Sequence, residues 1–215
     1  MDCNVVENIN ILAKFLGTRD IDALNQEELF KRYGIHQVDV MVLFGGSILE
    51  GGDVLASGIK NFVAKKYIIV GGAGHTTDTL RQVVHLEYPD IETTDLSEAE
   101  IFQKYIKHVY GCKADYLETK STNCGNNITY LLDLLKENNI SFKSIILSQD
   151  ASMQRRMAAG LKKYVKDDVT IINYASYCVS VLKQNDELVY EEDLHGMWTI
   201  NRYVNLLMGE IPRLS

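Results

Sequence analysis

The chain has 215 residues, a formal net charge of -7 and 46% hydrophobic residues. Such a composition has enough apolar side chains for a packed core, which excludes a disordered chain. The acidic balance also excludes a general nucleic-acid binder, which needs a basic surface or stripe.

The opening MDCNVVENIN carries an acid and no basic run, so no signal peptide is expected. No stretch approaches the roughly 18 apolar residues of a membrane span. The four cysteines Cys3, Cys112, Cys124 and Cys178 are widely spaced, which predicts reduced thiols, no zinc site and a cytoplasmic location.

Within 1–36, apolar residues at 5, 9, 12, 13 and 16 have helical spacing, with Gly17 as a stop. A second helix is expected after Asn25, with Glu27 and Glu28 in its first turn and an end near Gly34. VDVMVLF (38–44) then reads as a buried strand. A helix with Leu55, Ile59, Phe62 and Val63 on one face follows it. YIIV (67–70) is the next strand, and helices are expected near 78–86 and from Ser97 to Tyr110, with Gly111 at the C-terminal cap. DYLE (115–118), SIILS (144–148) and VTIIN (169–173) read as strands. Helices at 126–138 and 152–164 separate them. The tail 195–215 is expected to form an amphipathic helix that Gly209 stops, with Pro212 beyond it, and to pack on the domain along one sheet edge.

Strands that are apolar throughout and alternate with helices indicate a parallel sheet covered on both faces. The expectation is a single doubly wound α/β domain with about five strands in the order 3-2-1-4-5. In such a fold ligands bind beyond the carboxyl ends of the strands. Four consecutive strand ends there carry mainly polar or glycine residues: Gly45, Gly46 and Ser47; Gly71, Gly72, Gly74, His75 and Thr76; Ser121, Thr122, Asn123 and Asn127; and Gln149, Asp150 and Arg156 with the thioether Met153. Together with Glu98 at a helix start, they are the candidate ligand-binding set for a small molecule.

Each loop also has a plain reading. Gly71, Gly72 and Gly74 either permit positive φ in a turn or let a ligand approach the backbone. The dinucleotide fingerprint lacks its third glycine, because Thr77 stands there, and no P-loop lysine is present. Ser47 almost fits a nucleophile elbow, but Leu49 replaces the last glycine. His75 is either a solvated loop residue or an acid, base or ligand, and the other histidines, His195 among them, show no ligand spacing. Glu98 either offsets a helix dipole or serves the site, and Asp150 is the expected cap of the helix bearing Arg155 and Arg156. Those arginines are either a solvated face or an anion clamp. His75, Glu98 and Asp150 are the catalytic candidates; no metal is expected.

GGAGHTT (71–77), SEA (97–99), STNCGNN (121–127), QDASMQRR (149–156) and HGMWTINRYVNLLMGEIPRL (195–214) resemble, in order, the motifs of YdcF-like proteins in the SanA/YdcF family. The resemblance spans nearly the whole chain. It implies a Rossmann-like domain and binding of S-adenosylmethionine, without an established reaction. Two positions depart from the wider family. Asn126 stands where glutamate is frequent, and Met153 where histidine is frequent; Arg156 matches the family arginine. A thioether cannot shuttle protons, so a mechanism through that histidine is unavailable. Three functions remain open: a binder of an adenosine-containing ligand, an enzyme acting on a phosphorylated or sugar-nucleotide substrate in envelope metabolism, and a regulatory or scaffold protein. A monomer or homodimer is expected.

Overall fold

A computed structural model of the chain describes residues 3–192, 194 and 196–214. The readings made of the first two residues and of His195 lie outside the described residues.

Five parallel strands form the central sheet: β1 (Val38–Phe44), β2 (Ala64–Val70), β3 (Tyr116–Glu118), β4 (Ser144–Ser148) and β5 (Thr170–Asn173). Their order is β3-β2-β1-β4-β5, as the crossover rule led us to expect. β1 is central, pairing Val42 with Ile68 on one side and with Leu147 on the other. Because side chains alternate across a strand, Met41 and Leu43 face one helical layer while Val40, Val42 and Phe44 face the other. The first layer contains α2 (Gln26–Tyr33), α3 (Glu50–Lys60), α4 (Thr77–Glu87) and α5 (Glu98–Tyr110). The second contains α6 (Cys124–Glu137) and α7 (Gln154–Lys162). This is a doubly wound α/β fold.

Local signals set the helix ends. Asn25 accepts from the Glu28 N–H and Gly34 closes α2 in the left-handed region at φ 70°. Ser97 and Glu100 form a reciprocal capping box at the start of α5, and Gly111 ends that helix at φ 66°.

A third apolar cluster lies outside the two layers. It joins α1 (Cys3–Leu16), the antiparallel hairpin of β6 (Val181–Gln184) and β7 (Glu187–Tyr190), and α8 (Ile200–Leu214). Ile9, Leu16, Tyr177, Trp198, Tyr203 and Leu207 fill it. Among the described residues no helix is long and apolar enough to cross a membrane.

Several expectations are corrected. β2 begins at Ala64, three residues early, because Ala64 pairs with Val38. α3 ends at Lys60, and Phe62 turns outward with φ 52° and 66% exposure instead of joining the core face. The Val63 N–H donates to the Gly58 carbonyl and closes that turn. α8 runs through Gly209 and Pro212, so Gly209 is not a stop. Burial of Tyr203, Leu207 and Glu210 holds this helix, and Pro212 falls in its last turn, where one lost N–H bond matters least. Its seat is formed by α1, α7 and β7 rather than by a sheet edge. The hairpin was not foreseen.

Candidate functional site

The loops after β1 and β2 lie side by side, and Glu98 enters between them. The Gly45 N–H donates to the Val70 carbonyl at 2.7 Å, and the Gly71 N–H to the Glu118 carbonyl at 2.9 Å. The carbonyls of Gly72 and Gly71 accept from the N–H groups of Glu98 and Ala99 at 3.0 and 2.9 Å. None of Gly45, Gly71 and Gly72 has positive φ. Their glycine character serves close approach instead. A β-carbon at Gly45 would strike the Glu98 carboxylate, one at Gly71 would lie 3.1 Å from the Glu98 β-carbon, and one at Gly72 would strike the Ser121 carbonyl. Gly74 and Gly46 are different, because a β-carbon would fit at both.

Glu98 is 7% exposed. Its Oε1 accepts from the Thr76 hydroxyl at 2.6 Å and the Thr77 hydroxyl at 3.0 Å. Oε2 accepts no hydrogen bond, and no cationic side chain pairs with the carboxylate, among the described residues. Burial pushes the Glu98 carboxyl above its ordinary range, and the two threonine hydroxyls pull it partly back. Thr77 also accepts from the Gly74 N–H at 2.7 Å, so Glu98, through Thr77, fixes the turn that carries His75. His75 itself is exposed.

At the end of β3 the buried Glu118 carboxylate accepts from the N–H groups of Lys120 and Ser121 at 2.6 and 3.1 Å. This shapes the turn that leads to Thr122 and Asn123, both exposed. Asn123 accepts from the Asn126 N–H at 3.0 Å and caps α6, which therefore starts at Cys124. Asn127 lies in the first turn of α6, half-buried, and Ser121 is buried against Gly72.

The end of β4 points inward. The Gln149 N–H donates to the Gln154 side chain at 2.9 Å, and its Oε1 accepts from the Asp150 N–H at 2.7 Å. Asp150 is not the cap of α7, where Met153 occupies that place without a side-chain bond. Asp150 Oδ1 instead accepts from the Ser152 N–H, the Ser152 hydroxyl at 2.6 Å and the Tyr177 phenol at 2.8 Å. Burial, together with Asp150, holds the Tyr177 phenol protonated far above its ordinary range. Met153 Sδ lies 4.0 Å from Cys124 Sγ. The Arg156 fork donates to Glu210 of α8 at 2.6 and 3.0 Å, and Arg213 joins the same carboxylate at 2.8 Å. Arg155 donates to the Phe15 carbonyl at 2.6 Å and covers its ring.

Ser47 is fully buried, and its hydroxyl has no partner among the described residues. A cavity of about 10 Å³, which Ser47 itself does not line, lies among Gly46, Ile48, Phe44, Phe102, Gln149 and Asp150 and has room for a single water. Larger hollows open elsewhere: about 740 Å³ between α1 and β6, and about 450 Å³ along α7 and β5. Among the described residues no group of three or more His, Cys, Asp and Glu side chains is placed to hold a metal ion.

The four strand ends thus come together, but unequally. Gly45, Gly71, Gly72 and Ser121 knit three of the loops to one another, Gln149 and Asp150 bond within their own loop and to Ser176 and Tyr177, and Gly74, His75, Thr122 and Asn123 face solvent. Sequence reasoning missed Glu118, Tyr177 and Glu210. An acid ending the apolar run of β3 is a usable signal for the first. Tyr177 acts through Asp150, and Glu210 through Arg156 as well as its neighbour Arg213, so their decisive partners are distant in the chain. No protein-family model matches the chain.

Proposed function

We propose that the chain is a YdcF-like, cytoplasmic protein that binds an adenosine-containing small molecule, with S-adenosylmethionine the leading ligand, at the carboxyl-end rim of the sheet. One observation carries this reading: Glu98 is a buried carboxylate at the rim with hydroxyl partners and no cation among the described residues. Buried charges are ordinarily paired. A sulfonium centre placed near Oε2 supplies the missing positive charge, and a ribose hydroxyl supplies a donor to the same oxygen.

The fit extends to the other end of such a ligand, with one change. Arg156 is engaged by Glu210, so the methionine carboxylate falls instead to backbone N–H groups. α4 offers them. Its cap residue Thr76 makes no side-chain capping bond, and the N–H groups of Asp78 and Thr79 meet no acceptor among the described residues. A helix start of this kind favours a carboxylate. When bound, S-adenosylmethionine supplies an activated methyl group. The residues here bind and orient, and transfer does not follow from binding.

A thermal-shift titration tests the reading. At roughly 100 times Kd the ligand should stabilise the fold by about 2.7 kcal/mol. Absence of a shift with S-adenosylmethionine and with every adenine nucleotide tried would refute it. Native mass spectrometry of the purified protein adds an unbiased search for a retained small molecule.

A further inference from the structure

Residues 196–199, which lead into α8, cross the rim. Gly196, at φ 75°, is wedged between the loop after β1 and α4. A β-carbon there would lie 3.3 Å from the Ser47 carbonyl and 3.2 Å from a Val83 methyl. Met197 closes a turn by donating its N–H to the Leu194 carbonyl at 3.1 Å, and the Tyr190 phenol holds the Trp198 carbonyl at 3.0 Å. Trp198 is 7% exposed, packs in one cluster with Ile48 and Tyr203, and carries Arg202 over its ring.

Two buried polar groups at this crossing have no partner among the described residues: the Ser47 hydroxyl beside the wedge and the Trp198 indole N–H within the segment. Buried hydroxyl and indole groups nearly always find a partner in a finished site. Two orphans where one segment crosses a ligand rim mark an arrangement that a ligand, or a displaced segment, would complete.

We propose that Gly196–Trp198 is a lid over the Ser47 corner of the rim, closed in this structure and lifted when ligand enters, with Ser47 then hydrogen-bonding a polar group of the ligand. Entry of an adenosine-containing ligand is the part that rests on the function proposed above. Movement of the lid does not depend on it. Gly196 supplies the left-handed turn of the hinge, while the Arg156–Glu210 pair keeps α8 in place as the lid moves. No other tryptophan occurs in the chain, so Trp198 fluorescence reports the lid directly.

The test is a reversible lock, Val83→Cys with Gly196→Cys. A β-carbon at 196 sits within 3.3 Å of both Val83 methyls, which puts the two β-carbons on the order of 4 Å apart, within disulfide reach. Oxidised and reduced forms of this one variant are compared, so strain from cysteine at a positive φ cancels. Association of S-adenosylmethionine should be at least ~10-fold slower in the oxidised form, and thiol reduction should restore it. Acrylamide quenching of Trp198 should be about twofold weaker when locked. Equal association rates in the two forms would overturn the lid. If no form binds S-adenosylmethionine, wild type included, the binding reading fails and quenching alone decides: equal quenching overturns the lid too. Should the double variant not fold, Val83→Ala in the full chain carries the test. It should quench about twofold more strongly than wild type, and unchanged quenching would sink the proposal.

Discussion

The two halves of the rim share one topological position and differ in what their polar residues do. At the ends of β1 and β4, Ser47, Gln149 and Asp150 are buried, and Gln149 and Asp150 bond to their own loops, to Gln154 and to Tyr177. At the ends of β2 and β3, Gly74, His75, Thr122 and Asn123 face water, held in place by buried acids beneath them. The difference teaches that a polar strand end is not by itself a ligand contact. In the covered half Gln149 and Asp150 support the fold, and in the open half an inner layer of carboxylates holds an outer layer available for recognition. Glu98 belongs to both, since it anchors Thr76 and Thr77 and still has an oxygen without a donor among the described residues.

That contrast can be broken by measurement. The largest effect is expected from Arg156→Ala, which leaves the buried Glu210 with Arg213 alone. Removing one partner of such a pair should cost about 3 kcal/mol in urea unfolding. An unchanged midpoint, with ligand affinity lost instead, would move Arg156 into the recognition layer. Tyr177→Phe removes a phenol that donates to the buried Asp150. About 2 kcal/mol of destabilisation is expected, with ligand affinity unaffected; equilibrium unfolding and a binding titration on the same sample check both halves of that statement.

Glu98→Gln sharpens the comparison through pH. Burial raises the native pKa, so between the unfolded and native values the native state binds the proton more tightly than the unfolded chain. Wild-type stability therefore falls as pH rises through that window and stays reduced above it. The glutamine variant should be the more stable protein at about pH 8, with the gap closing toward about pH 4. It should also lose affinity for S-adenosylmethionine, having lost the charge. A thermal-melt series across pH would contradict this if the two curves ran parallel. The smallest stability effect belongs to His75→Ala: within about 0.5 kcal/mol, as for an exposed loop residue. Its affinity for S-adenosylmethionine should nevertheless drop about tenfold, or about 1.4 kcal/mol, by calorimetric titration.

Much of the architecture is legible because its signals are local. The runs 38–44 and 144–148 are strands to the residue, since a β-branched run buried on both faces admits no other placement. Asn25, Gly34, Ser97 and Gly111 act as caps within four residues of what they cap. The hairpin was hidden for the opposite reason. Its strands are four residues each with only Val181 buried, and its turn uses Asn185 and Asp186 at positive φ without a glycine. The candidate site is legible as a place but not as an arrangement. Gly45 is a glycine because Glu98 occupies the space beside it, 53 positions later, and Arg156 is engaged because Glu210 returns from 54 positions away. Neither fact has a local trace.

The last strand of the sheet is closed by the start of the chain. Arg19 bridges to Tyr174, the Asn173 N–H and side-chain amide both donate to Asp20, and Asn10 exchanges bonds with Val181. Asp20 and Asn173 are 153 positions apart. On the ribosome, then, Ile9, Ala13 and Leu16 emerge well before α7, β6 and α8, against which α1 packs, have been made. At about 5–20 residues per second the wait is roughly 8–30 s. α1 and the residues after it are thus among the last to settle, although they precede the sheet in the chain, and until they do β5 presents a bare edge to any neighbouring strand.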